Sequence, residues 1–425
     1  MLKNIINTFV TRVASSAVNL IIAILISNIF GAAIKGEQGL ILATITLITL
    51  VAALIGAGSI VYLIPRMNIR SLLMPSYGWN LMICILVYII LRLTNMLPEA
   101  LIFPTSLLAL ILSINMVHSG TLLGIERIKE SNYANLLNTL FVFLGLLFNI
   151  FVLRIDTVFA NVYALFYGYL IGLFFSTYFM LKNWDHFRRT GTENSGSFWS
   201  SAKELFRYGF LNQMDVLAQM LSFRLSYYVI NYYMSKSAVG IYSNAISIVE
   251  SIWLISRSIS MVQNARIVNS KDLNYSVKIT LQLVKVSFLL VLGVVIILQF
   301  IPATFYQFLF GQEFGEVRMV ILAVSPGILF FCISFILSGL FAGTGNYQYN
   351  TLASIAGLIV TVVLVLILIP RYGLIGAGIT ASISYTVHTL IKLTYFIRKF
   401  PVSVRDLWIS LPDLKNFFVY LRSRT

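Results

Sequence analysis

The sequence predicts an all-α integral membrane protein of about twelve transmembrane helices in two six-helix halves. Three observations lead there. Of 425 residues, 59% are hydrophobic and 11% charged, against about 25% charged in a soluble domain. So few charges cannot cover a water-facing surface. The apolar residues gather into twelve runs, most of them long enough for the roughly 30 Å hydrocarbon core of a bilayer. The second six runs weakly repeat the first six.

The first half holds runs near 8–30, 38–63, 76–93, 103–124, 133–153 and 158–181. The run from Phe9 to Phe30 is not followed by a small-residue cleavage site, so it is expected to stay as the first helix. The longest loop follows, KNWDHFRRTGTENSGSFWSSAKE, polar and rich in Ser and Gly. The second half holds runs near 207–233, 238–262, 279–301, 318–342, 350–369 and 373–396. The expected organisation is therefore a lobe over 1–181, a cytoplasmic linker over 182–206, a lobe over 207–398 and a basic tail over 399–425. The tail mixes apolar and basic residues and reads as an interfacial segment on the cytoplasmic side.

The net charge of +15 has a topological explanation. With the N-terminus inside, the cytoplasmic loops and tails collect most of the basic residues, among them Arg66, Arg70, Arg127, Arg188, Arg189, Lys203, Arg207 and those from Lys392 to Arg424. The outer loops hold Lys35, Arg92, Arg154, Lys236, Arg318 and Arg371. This bias places both termini in the cytoplasm, and nucleic acid is not expected as a partner. Cys84 and Cys332 lie far apart in apolar runs and read as small core residues. His118 and His388 are isolated and read as structural. The glycines of GLIGAGIT follow no strand and suit close helix packing rather than a nucleotide loop. No metal site or cofactor is expected.

The repeat rests on several matches in the same order. SGTLLG at 119–124 corresponds to SGLFAG at 338–343, Gly39 to Gly240, Arg66 to Arg266, and Leu153-Arg154 to Pro370-Arg371. Duplicated membrane halves are a common plan for secondary transporters, with the substrate site where the repeats meet.

Deep polar residues are the candidate site. Arg224 stands in the middle of AQMLSFRLSYYVINYYM, residues 218–234. An arginine at bilayer depth costs at least about 2.5–3.5 kcal/mol on the most lenient scale. At 3.6 residues per turn, Arg12, Ser16, Asn19, Ala23 and Ser27 share one face of the first helix. Ser243, Ser247, Glu250, Arg257 and Asn264 share one face of the eighth. Glu250 and Arg257 are two turns apart, roughly 10 Å along the axis. Two such stripes, one in each half, are what a water-filled central cleft needs. In the seventh segment Asn212, Asp215, Gln219, Ser222 and Ser226 form one stripe and Arg224 lies opposite it. Either Arg224 faces the cleft and the stripe packs inward, or the reverse; the first is the expectation adopted. Tyr227, Tyr228, Tyr232 and Tyr233 read as an interfacial belt.

The blocks RYGFLNQMDVLAQ (207–219), AVGIYS (238–243) and LIPRYGLIGAGI (368–379) resemble the polysaccharide-exporter branch of the multidrug/oligosaccharidyl-lipid/polysaccharide exporter superfamily. The nearest type is the O-antigen or capsule repeat-unit flippase (Wzx type). The resemblance implies a V-shaped fold of two lobes in the bacterial inner membrane. It also implies transport of undecaprenyl-diphosphate-linked oligosaccharide by alternating access, as a monomer working beside other polysaccharide-assembly proteins and membrane lipid. Ser226 stands where the family often has an acid, and Asn264 where many members have proline. With that substrate, Arg12, Arg224 and Arg257 would bind the diphosphate, and Asn19 and Ser247 would line the cleft. Asp215 and Glu250 would serve charge pairing or coupling to H+ or Na+. Two alternatives stand beside this reading. A multidrug or cation antiporter of the same superfamily would want an acidic cavity, whereas the deep charges here are mostly basic. A membrane-embedded glycan polymerase or glycosyltransferase would want a larger outer loop.

Overall fold

A backbone in lipid must bond to itself, so the spanning segments have to be helices. The computed structural model describes residues 2–64, 67–184, 197–268 and 272–407, and among these it contains helices and no strand. The helices are α1 (Leu2–Ala52), α2 (Ala57–Leu63), α3 (Ile69–Thr94), α4 (Glu99–Gly124), α5 (Ile128–Phe151) and α6 (Phe159–Lys182). They continue as α7 (Phe198–Tyr233), α8 (Lys236–Val268), α9 (Leu273–Phe300), α10 (Ala303–Phe310), α11 (Val317–Gly343) and α12 (Gln348–Lys399). Residues 185–196 of the 182–206 linker and 408–425 of the 399–425 tail lie outside the described residues, and the end of the expected linker is the first part of α7.

Nine stretches among the described residues are long and apolar enough to cross a membrane. Two are of double length, Val10–Leu63 with 54 residues and Gln348–Lys399 with 52. At 1.5 Å per residue each would reach about 80 Å, more than twice the hydrocarbon core. Each is broken by a glycine in the left-handed region, Gly31 (φ 76°) in α1 and Gly373 (φ 55°) in α12. Each therefore supplies two spans, and eleven of the twelve predicted runs have their helix. The twelfth, 207–233, is α7. It is helical without interruption over 36 residues, but it is too polar to fall among the nine stretches.

Contacts divide the chain into two compact units, Met1–Ser243 with Phe308–Phe314, and Asn244–Gln307 with Gly315–Thr425. The expected lobes follow the sequence repeat; the contact division instead puts α7 and the first turns of α8 with α1–α6. In the first unit α5 packs on α6, α4 on α6, and α7 on α1, α2 and α3. One apolar core there is built on Ile26, Ile41, Leu108, Leu146 and Val162, and another on Ile60, Leu72, Val117 and Leu205. In the second unit α11 packs on α9 and α12 around Leu337, Leu340, Phe341 and Phe396. Cys84 and Cys332 are free and buried.

The break at Gly31 is closed by a distant side chain. The Ala32 N–H donates to Glu313 Oε2 at 2.7 Å, and Asn28 Nδ2 donates to the Leu309 carbonyl at 2.6 Å. These bonds tie Phe308–Phe314 into the first unit. Just beyond, two backbones come together. A Cβ on Gly36 would stand 1.8 Å from the Lys236 carbonyl oxygen, and one on Gly240 2.1 Å from that of Ala32. The obstacles are backbone atoms, which no rotamer change can move. Gly240→Val is therefore expected to force α1 and α8 apart and cost at least ~1–3 kcal/mol. A clear drop in the melting temperature of the purified protein in detergent would show it.

Candidate functional site

The candidate residues are carried by both units. In the first, an unbroken α7 keeps Arg224 on the side away from Asp215, as helical phase requires. Ser222 and Ser226 of the opposite stripe are buried at 8% and 2% exposure, while Asp215, Gln219 and Arg224 are half-buried. The C-terminal part of the stripe thus packs inward. The side chain of Asn212 lies outside the described residues.

Arg224 sits against a tyrosine cluster. Its Nη1 donates to Tyr227 Oη at 3.3 Å, and the guanidinium carbon lies 5.5 Å from the centroid of the same ring. Tyr227 is itself fixed: buried, edge-on to Tyr242 with centroids 5.3 Å apart, and in contact range of Gly39. The Tyr228 hydroxyl is 2.8 Å from Thr44 Oγ1. Tyr227 and Tyr228, read from sequence as an interfacial belt, in fact join α7 to α1 and α8. Tyr232 and Tyr233 are exposed, as a belt would be. Spacing alone did not separate the two pairs; the glycine opposite Tyr227 belongs to another helix.

The stripe on α1 divides along its length. Arg12 and Asn19 are exposed, Ser16 is half-buried, and Ala23 and Ser27 are buried, with Ser27 Oγ donating to the Ala23 carbonyl at 2.7 Å. One helical face therefore runs through two environments.

In the second unit, Arg257 is exposed on α8 and its guanidinium carbon lies 5.0 Å from the Phe335 centroid and 5.9 Å from that of Trp253. Trp253 is 1% exposed and packs on Phe331, Phe335 and Tyr385, with centroids 5.1, 5.9 and 5.5 Å away. Below it, Ser256 meets Ser287 at 2.8 Å, Ser260 Oγ donates to the Phe335 carbonyl at 2.7 Å, and Gln263 Nε2 to Thr280 Oγ1 at 2.8 Å. These bonds fix α8 against α9 and α11 and so fix where Arg257 stands. Ser247 and Glu250 are half-buried.

Two lysines assigned to loops from the charge pattern belong inside. Lys35 is 4% exposed and Lys392 1% exposed. Lys392 Nζ donates to Ser338 Oγ at 2.6 Å, one turn from His388, whose ring nitrogens meet Ser334 at 3.0 Å and Ser354 at 3.1 Å. His118 likewise meets Tyr77 at 2.6 Å and Thr177 at 3.0 Å. Both histidines thus have the structural surroundings expected of them. Lys35 falls in a predicted loop through which α1 runs on as helix, whereas Lys392, near the end of the last predicted run, is drawn inward by Ser338 of α11.

No protein-family model matches the sequence. A capsular polysaccharide biosynthesis protein, CapF, of Staphylococcus aureus is 31% identical over 173 residues, which is 39% of this chain and 42% of that protein. The match therefore spans less than half of the relative. The structure of the lipid II flippase MurJ, in an inward closed conformation, superposes with a TM-score of 0.72 at 17% identity, covering 99% of this chain and 93% of that one. An inward-facing multidrug resistance MATE family transporter of the MOP superfamily superposes with a TM-score of 0.71 at 16% identity, covering 91% and 94%. The chain has the membrane-transporter fold of these proteins.

Trp253→Ala is expected to destabilise the second unit by ~3–5 kcal/mol. Arg257→Ala, which removes an exposed side chain lying over the Phe335 and Trp253 rings, is expected to stay within ~1 kcal/mol of the parent. Thermal melts of the two purified variants separate the framework role of the tryptophan from the role of the arginine.

Proposed function

We propose that this protein is a flippase for undecaprenyl-diphosphate-linked oligosaccharide repeat units, of the kind that build capsule or O-antigen. In this reading it moves them across the bacterial inner membrane by alternating access. The observation that carries it is the setting of Arg224 and Arg257. Each guanidinium lies against an aromatic ring, at 5.5 Å and 5.0 Å. Stacking occupies the π face of a guanidinium and leaves its orientation set by a rigid plane, while its N–H edge is the part that matches two phosphate oxygens. A diphosphate is the anionic, non-variable part of a lipid-linked glycan, and it must pass through the membrane with the sugars. Arg12 and Asn19, exposed on α1, and Ser247 on α8 serve the same head group and its sugars. Asp215 and Glu250, both half-buried, are the groups assigned to charge pairing or to a coupled H+ or Na+.

The partial likeness to a capsular biosynthesis protein supports the glycan side of the proposal. The fold does not choose between substrates, since the flippase and the drug transporter superpose almost equally well. The charge supports the anionic one: a cation exporter needs acids where its cargo sits, whereas Arg224 and Arg257 are the groups set against aromatic rings here.

Arg224→Ala and Arg257→Ala are each expected to lower export of lipid-linked repeat units ~10- to 100-fold, the worth of one charge-assisted pair of hydrogen bonds. Surface polysaccharide is the readout, at matched membrane levels of protein. Arg→Lys at either position keeps the charge and loses the fork, so partial activity is expected. Parental polysaccharide levels in both alanine variants would overturn the assignment.

A further inference from the structure

We propose that the first unit holds a small monovalent anion such as chloride, bound by Lys35, Gln38 and Asn161 at the start of α6. The site is independent of the arginines discussed above. Lys35 lies one turn beyond the break in α1 at Gly31 and is 4% exposed. Its ammonium makes one polar contact, to Gln38 Oε1 at 2.7 Å. Gln38, 3% exposed, passes the chain on: its Nε2 donates to Asn161 Oδ1 at 3.2 Å. Asn161 is 1% exposed, and its Nδ2 has no partner.

The pattern of donors and acceptors is one-sided. An ammonium has three protons and no acceptor, and an amide has two protons and one carbonyl oxygen. Each carbonyl oxygen of this chain of contacts already accepts one bond, from Lys35 or from Gln38, and keeps one lone pair. The donors left over outnumber those lone pairs: two protons on Lys35, one on Gln38 and both on Asn161. Asn161 also sits in the first turn of α6, a helix of 24 residues. The N-terminal end of a helix carries partial positive charge and points N–H groups outward.

No acid balances the lysine among the described residues. Glu37 is paired with Lys236, and Glu313 caps the Ala32 N–H at 2.7 Å. Neither reaches Lys35 within salt-bridge distance, and no other charged side chain contacts it. A buried ammonium, a helix N-terminus and a set of orphan amide protons therefore lie along one short chain of contacts with nothing negative among them. A water molecule would answer poorly. It could accept from two of these donors, but its own two protons would then point at further donors. A monovalent anion accepts from all of them and cancels the buried charge.

Direct chloride binding to the purified full-length protein tests this, with radiolabelled chloride and gluconate as the inert replacement at constant ionic strength. Saturable binding of one chloride per chain is expected, together with a higher melting temperature in chloride than in gluconate. Lys35→Met is expected to abolish that binding. Asn161→Asp keeps the shape of the side chain and supplies a fixed carboxylate on the residue that Gln38 links to Lys35. It is therefore expected to fold in gluconate, to bind no chloride there, and to melt at one temperature in both salts. This variant decides the matter even if Lys35→Met does not fold. The proposal is overturned if the parent shows neither saturable binding nor a melting difference, as a deprotonated Lys35 would give. It is also overturned if Asn161→Asp keeps the parental chloride dependence, or if binding survives there and disappears instead in Arg224→Ala.

Discussion

A bilayer gives a polypeptide no hydrogen-bond partners, and each break in a membrane helix must be met by the protein itself. The break at Gly31 shows how. The residue turns through a left-handed conformation, which releases N–H groups of the next helical stretch from their usual carbonyls. One of them is taken by Glu313, a residue 281 positions away, whose negative charge also suits a helix start. The bond draws the segment Phe308–Phe314 into the first unit. The break then leads straight into the crossing of Gly36 and Gly240, where absent side chains let two backbones touch. A turn, a cap and a close approach thus fall within a few residues at this corner of the first unit.

The same rule applies to side chains, and the deep polar groups obey it in different ways. Histidines 118 and 388 are each held at both ring nitrogens by hydroxyl groups or a phenol. Such rings are finished as hydrogen-bonding units and have little left to offer a ligand. The arginines are placed differently. Tyr227 and Phe335 give Arg224 and Arg257 a flat, weakly attractive surface, and a ring cannot neutralise a charge as a carboxylate would. Stacking therefore orients a guanidinium without being able to replace an ionic partner.

Much of the fold was legible in the sequence because lipid makes hydropathy a nearly direct record of spans. The apolar runs, their lengths and the repeat of SGTLLG by SGLFAG placed the helices before any contact was known. The opposition of Arg224 and Asp215 was also legible, since an uninterrupted helix fixes phase. What sequence could not show were the partners. Lys35 and Lys392 looked like loop charges because each falls at the edge of an apolar run. Their burial depends on Gln38 and Asn161 in one case and Ser338 in the other, and Asn161 is 123 positions away from the residue it meets. Tyr227 looked like its neighbours Tyr232 and Tyr233 until Gly39 and Tyr242 were seen to enclose it. The stripe on α1 erred in the same way. A shared face is a property of one helix, whereas exposure depends on what packs against each turn.

The polarity of α7 follows from these placements. It is the predicted span that fails a simple apolar criterion, and it carries Asp215, Gln219, Ser222, Arg224 and Ser226 within a few turns. A helix of this composition is poorly suited to lie alone in lipid. It is stable where it packs on α1, α2 and α3 along much of its length, with Gly209 so close to the Leu54 carbonyl that a Cβ would stand 1.8 Å from it. Close backbone packing of this kind buries Ser222 and Ser226 and leaves Arg224 and Asp215 half-buried. The cost of a polar helix is met by packing on one side, so its charged residues fall at the edges of the packed face.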